Sequence, residues 1–476
     1  MMPSHSILML LSSVLSYQQI ESVPTVSKPS LQSVPSRHAS LARIFIHDSK
    51  TCIMRWSDAF INQENGLEIT SPRLVSNIKT QDQSRQRFVQ MQEFGGILVA
   101  GIRDQMNGEL ESGHVVIDTG IGKMDHGNHI HWSYLREPDV VASQLGTDQG
   151  NPAHVYLYNK QIYVANDRNN GYTRINPARY RNDEGDIIGK DNPSFFEGGG
   201  NHITLAVTDD HLGYSTWIDG GGPNKGRVDV THLSLKSKSK KFQSFHLPYG
   251  GIHGATVCQD KVFFATSNGV CWIKCEPMIG TKQSDIKIGH ISLGKDGDQP
   301  ARTGSFTCLD KYVIFVTGKG ESSRLVIIDS SKEKPLIIAD FNIIIPNGHS
   351  LTKPVALKTF DHRSYVFVFS DQSTDRGKHQ EMLNIIDLDP NQDGLLNDLK
   401  IQSKIPVGSS CVQGHTGHHS IAFDSSRSHA FITNPGDGTI SVLPIGTMPK
   451  SPSISKVFSI GGSPSGIIVT GGNCSE

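Results

Sequence analysis

The chain has 476 residues, with 45 Lys and Arg set against 46 Asp and Glu. A net charge near zero gives no electrostatic basis for binding nucleic acid or an anionic membrane surface, and no run beyond the amino terminus is long and apolar enough to span a bilayer. Gly is abundant at 47, His is frequent at 21, and helix-type periodicity is nearly absent, so a large all-β chain rich in imidazole is expected.

In chain order, Ile7-Leu8-Met9-Leu10-Leu11-Ser12-Ser13-Val14-Leu15 resembles the short apolar core of a secretory signal. The Ser-, Pro-, Gln- and Val-rich stretch from Ser16 to about His38 reads as a disordered lead-in. Residues 1–39 are therefore expected to be signal and lead-in, and residues 40–476 one folded domain of an exported, periplasmic or secreted protein. Leu41–Ile46 resembles the second strand of a sheet whose first strand is missing. From Arg87 onward, apolar strand-like runs recur with a period of roughly 50 residues. Histidine marks most of the units, at His154, His202, His253, His349 and His419, and a further unit without one starts near Gly304.

Repeats of this length with Gly-rich turns predict a β-propeller of four-stranded blades, seven or eight in number. The clearest unit runs from Ile421 through Ala430–Asn434 to Thr439–Val442 and resembles a YVTN-type blade. Its Gly436-Asp437-Gly438 segment supplies the hairpin between the second and third strands. Ser463–Val469 resembles an innermost strand with no blade after it. Pairing it with Leu41–Ile46 would close the ring from both termini and remove an open sheet edge. Closure would also bring Cys52 and Cys474 near each other. The seven cysteines form no CxxC pair, so a thiolate zinc site is not expected, whereas one or two disulfides suit an exported chain.

Two constellations could carry chemistry. Asp125-His126-Gly127-Asn128-His129-Ile130-His131 holds one carboxylate and three imidazoles within seven residues after a predicted strand. Carboxylate oxygen and neutral imidazole nitrogen are zinc ligands. The second is the ring of marker histidines. A toroid brings equivalent positions to one axis, so His154, His202 and His253, on consecutive blades, would converge in the channel with His419 further round. Three imidazoles and one more ligand complete a zinc sphere, and copper competes for the same nitrogens. A histidine at such a position can equally fasten neighbouring blades by hydrogen bonds. Asp387–Gly394 has the look of a calcium loop but lacks the closing Glu. No Gly-x-Ser-x-Gly element is present and no residue stands out as a nucleophile, so no catalytic residue is assigned.

The order Asp118-Thr119-Gly120, Asp125-His126-Gly127-Asn128-His129, Pro152-Ala153-His154-Val155, Asn201-His202-Ile203 and Ile252-His253-Gly254-Ala255 resembles the AztD-type periplasmic zinc metallochaperones. These are propeller proteins that accompany ABC zinc importers and pass zinc to the solute-binding protein. The resemblance implies that Asp125, His126 and His129 form or feed a mobile site, and that His154, His202 and His253 contribute to a site in the propeller. Ala255 stands where that family tends to carry Glu. The expected function is thus a zinc-binding propeller that transfers its ion to a partner. The alternatives are a metal-dependent hydrolase, lactonase-like or oxidoreductase propeller, or an interaction scaffold with structural histidines.

Overall fold

A computed structural model describes residues 39–472, except 107, 128–129, 183–184, 190–191, 210, 235–242, 276–280, 374–378, 447 and 449–451. The leading segment up to residue 38 and Cys474 lie outside the described residues.

Eight antiparallel sheets form the blades of a β-propeller. Blade 1 is built from both ends of the chain: Pro464–Thr470 is innermost, followed outward by Ala39–Asp48, Met54–Asn62 and Gly66–Ile69. The closing pair runs from Arg43↔Thr470 to Asp48↔Pro464, as the terminal sequence patterns predict. Blade 2 comprises Gln86–Phe94, Ile97–Asp104, Ser112–Asp118 and Asp139–Gly146. The innermost strands of blades 3 to 6 are His154–Tyr158, Leu205–Val207, Gly254–Cys258 and Thr307–Leu309. In blade 7 the innermost strand is split into His349–Leu351 and Val355–Lys358, both paired with Ser364–Gln372. Pro354 lies in the gap, where it has no N–H to give to a ladder. That break makes the unit irregular in sequence. Blade 8 begins at Ile421–Phe423, and the turn at Gly436–Gly438 joins His429–Asn434 to Thr439–Pro444.

Each blade is sandwiched between two others, so its middle strands bury both faces. They are continuous apolar runs, such as Val262-Phe263-Phe264-Ala265, instead of alternating ones. The core is correspondingly divided into eight clusters, one at each interface between neighbouring blades. Cys258 and Cys308 form a disulfide between the innermost strands of blades 5 and 6, with Cα atoms 5.8 Å apart. Cys52 is a buried free thiol, and burial pushes its pKa up to about 12.

Candidate metal centre

Three of the marker histidines meet in the channel. His154 opens the innermost strand of blade 3 and its Nε2 lies 3.0 Å from His202 Nε2. The His202 ring is 4.9 Å from that of His253, centroid to centroid. His202 sits in the connection into blade 4, which Asp167 of blade 3 holds by accepting the Ile203 N–H at 3.0 Å. The same carboxylate faces His202 Nδ1 at 3.6 Å and pairs with Arg103 at 3.2 Å. His253 immediately precedes the innermost strand of blade 5. Its Nδ1–H donates to the Gly304 carbonyl at 3.2 Å, which leaves the Nε2 lone pair uncommitted to that bond. A carbonyl or carboxylate on the far nitrogen is the usual support for a metal-binding imidazole.

A fourth ring joins them that the repeat pattern did not single out. His415 lies on the loop between blades 7 and 8 and stacks on His253, with centroids 5.7 Å apart and planes at 30°. Blades 5 and 8 are not neighbours, so this loop reaches across the channel mouth. The sequence signal was present in Gly414-His415-Thr416-Gly417-His418-His419, three imidazoles in five residues, with His415 set between glycines at φ +61° and +78°. The channel encloses about 660 Å³ and is lined by Gln90, His154, His253, Lys353 and His415, among others. Burial lowers the pKa of His154 well below the ordinary imidazole value, reinforced by His202, His253, Lys353 and Arg103. Burial likewise lowers that of His253, as do His202, His415 and Arg302, against the Gly304 bond. Both are therefore neutral donors at physiological pH. Lys353 stands in the gap of the split blade 7 strand, reached by water but hemmed in by protein, which lowers its pKa too.

The other predicted residues lie elsewhere. His419 is buried, and both its nitrogens are engaged: Nδ1 with Asp371 Oδ1 at 2.7 Å and Nε2 with the Gly408 carbonyl at 3.0 Å. A ring donating from both sides is an imidazolium and has no lone pair for a metal. Asp371 and Glu381 lie close by, but Glu381 already accepts from Gln372 N–H and from Ser410 N–H and Oγ–H. His349 is buried in blade 7, where its Nδ1 meets the Ser370 carbonyl at 3.1 Å.

The histidine-rich segment forms a ribbon, Ile121–Asp125 paired with Ile130–Tyr134. The rings of His126 and His131 meet edge to face at 5.0 Å. Asn128 and His129 lie outside the described residues, and of Asp125 only the main chain is described, paired with Ile130. In blade 2 the third strand runs parallel to the innermost one and ends at Asp118, level with Phe94. The ribbon therefore leaves from the face at which innermost strands end. There Tyr134 Oη donates to the carbonyl of Gly472, just past the closing strand, at 3.5 Å. The channel histidines precede or begin innermost strands. Ribbon and imidazole cluster thus belong to opposite faces of the propeller.

No protein-family model and no curated protein matches the chain. Among solved structures it is similar to AztD of Citrobacter koseri, with a TM-score of 0.58 and 17% identity over 92% of this chain and 100% of that one. The apo form of AztD from the same organism gives a TM-score of 0.57 and 16% identity over the same shares. A putative 6-phosphogluconolactonase from Bacteroides uniformis gives 0.47 and 12% identity over 91% of this chain and 100% of that one. The likeness to AztD that the histidine motifs suggest is matched at the level of fold: this chain is an eight-bladed β-propeller that aligns with AztD over 92% of its length.

Proposed function

We propose that this protein binds zinc in its channel through His154, His202 and His253, with His415 as a fourth imidazole, and passes the ion to a partner. The observation that carries this is the 3.0 Å approach of His154 Nε2 to His202 Nε2. Two nitrogens on one tetrahedral zinc, each at about 2.0–2.1 Å, stand about 3.3 Å apart. The pair therefore sits close to the spacing an ion needs, and the third and fourth rings lie in contact with it. Cu²⁺ competes for the same set. His126 and His131 supply a separate site on the ribbon suited to exchange with another protein, to which Asp125 and His129, their neighbours in sequence, would add ligands. The partner is a zinc importer's solute-binding protein, by analogy with AztD-type proteins. The Cys258–Cys308 disulfide suits an exported chain, since such bonds persist in oxidising compartments.

The test is zinc content and affinity of the full chain beside two double variants, His154→Gln/His202→Gln and His126→Gln/His131→Gln. The first should lose the tighter zinc and the second a weaker, separable fraction. A wild-type protein that takes up no zinc, or a channel variant that binds it like wild type, would reduce the imidazoles to blade-fastening groups.

A further inference from the structure

The hydrogen bonds of His154 and His202 are arranged to exclude an ion, and Gln90 sets that arrangement. Gln90 stands on the innermost strand of blade 2, facing blade 3. Its Oε1 accepts the Val155 N–H at 3.0 Å, which fixes which end of the amide points where. The amide NH2 then faces His154 Nδ1 at 3.1 Å and donates to it. A neutral imidazole that accepts at Nδ1 carries its proton on Nε2. His154 Nε2–H therefore donates to His202 Nε2 across the 3.0 Å contact, and His202 carries its own proton on Nδ1, toward Asp167. His202 is braced as a ligand should be, but its lone pair is taken by His154, and His154 offers the channel a proton.

For His154 Nε2 to take an ion, its proton must move to Nδ1, and Nδ1–H then needs an acceptor. The group at hydrogen-bond distance is Gln90, which can accept only after its amide turns over. Turned over, it sets NH2 against the Val155 N–H, donor against donor. We propose that Gln90 is a latch on the channel site: a positioning residue that holds His154 in its ion-excluding form and turns over when a divalent cation enters. This rests on the channel being a zinc site. The latch sets how tightly the site holds its ion, and so how readily it releases one.

The experiment compares zinc affinity, by chelator competition, of wild type, Gln90→Glu and Gln92→Glu, with thermal melts to confirm folding. A carboxylate at 90 accepts from Val155 N–H and His154 Nδ1–H together without turning. Gln92 lines the same channel, where it touches the Val155 carbonyl, so Glu there adds the same charge without reaching His154. Gln90→Glu should tighten zinc binding by about tenfold or more, the usual scale for a supporting partner of a metal-bound histidine, and Gln92→Glu by much less. No gain at 90, or equal gains at both, would overturn the latch. Independently of any variant at 90, nitrogen NMR of histidine-labelled protein should find His154, assigned with His154→Gln, protonated on Nε2 without zinc and on Nδ1 with it. An Nδ1–H ring before zinc is added would equally overturn the latch. If instead His154→Gln/His202→Gln leaves wild-type zinc affinity intact, it is the channel site itself that fails, whatever Gln90 does.

Discussion

Asp371→Asn removes the charge that fastens the loop carrying His415. Asp371 is fully buried at the end of the second strand of blade 7. It accepts from His418 Nδ1 at 2.9 Å, His419 Nδ1 at 2.7 Å and His419 N–H at 3.1 Å. Burial alone would raise its pKa, but the imidazole charges of His419 and His418 outweigh that and hold it down to about 2. Burial alone would lower the pKa of His419, yet the carboxylate of Asp371, with Glu381 and the Gly408 carbonyl, raises it. A drop from 3.8 to about 2 is worth about 2 kcal/mol of folding stability. The variant also strands a buried imidazolium, and breaking a buried pair costs about 3–5 kcal/mol. A loss of about 3 kcal/mol is expected.

The pH dependence follows from the two directions. Asp371 has a depressed folded pKa, so its contribution is present above its unfolded value of 3.8 and lost as pH falls through about 2. His419 has a raised folded pKa, so its contribution is present below 6.5 and lost as pH rises through the folded value. The pair contributes fully between about pH 4 and 6.5. Urea unfolding of wild type and Asp371→Asn, followed by tryptophan fluorescence at pH 5.5 and again in alkaline buffer, reads both effects. Zinc affinity should fall with the variant as His415 is released. A difference under about 1 kcal/mol at pH 5.5, or one unchanged in alkali, would refute the clasp.

Breaking the Cys258–Cys308 bond, which spans 50 residues, should cost up to about 4 kcal/mol on the chain-entropy model. Cys258→Ser/Cys308→Ser and reductant-treated wild type should therefore melt at the same lowered temperature, and an unchanged melt would show that the blade 5–6 junction is held by its apolar cluster alone. His47 and His114 are buried, and desolvation holds each near pKa 4, against an ordinary 6.5. Their folded values lie below their unfolded ones, so stability falls as pH drops from about 6.5 to 4, by up to about 3 kcal/mol each. His114→Gln should flatten that slope in urea midpoints measured across the range, and a slope equal to wild type would argue against His114 as a source.

Strand content and ring closure were legible in the sequence because their signals are local. A blade strand buried on both faces is an apolar run wherever it stands, and the innermost-strand pattern at Ser463–Val469, with no blade after it, finds its partner in Leu41–Ile46, a second strand with no first before it. The convergence of His154, His202 and His253 followed from the repeat alone, since equivalent positions on adjacent blades share an axis. What was not legible depended on contacts between residues distant in sequence. Cys258 joins Cys308 on the next blade, although Cys271 and Cys275 are nearer along the chain, because adjacent innermost strands lie side by side while Cys271 is on an outer strand of the same blade. His415 and His419 are four residues apart in one loop, yet one stacks in the channel and the other is locked as an imidazolium. Blade 7 decides between them, because Asp371 and Glu381 pin the two ends of the loop and leave its middle to span the mouth. The histidine ribbon, a short way before His154 in sequence, belongs to the opposite face because an antiparallel blade reverses direction at every strand. Local patterning sets what a segment can become, but which side chains meet is fixed by how the blades stack, and that depends on buried groups far apart in the chain.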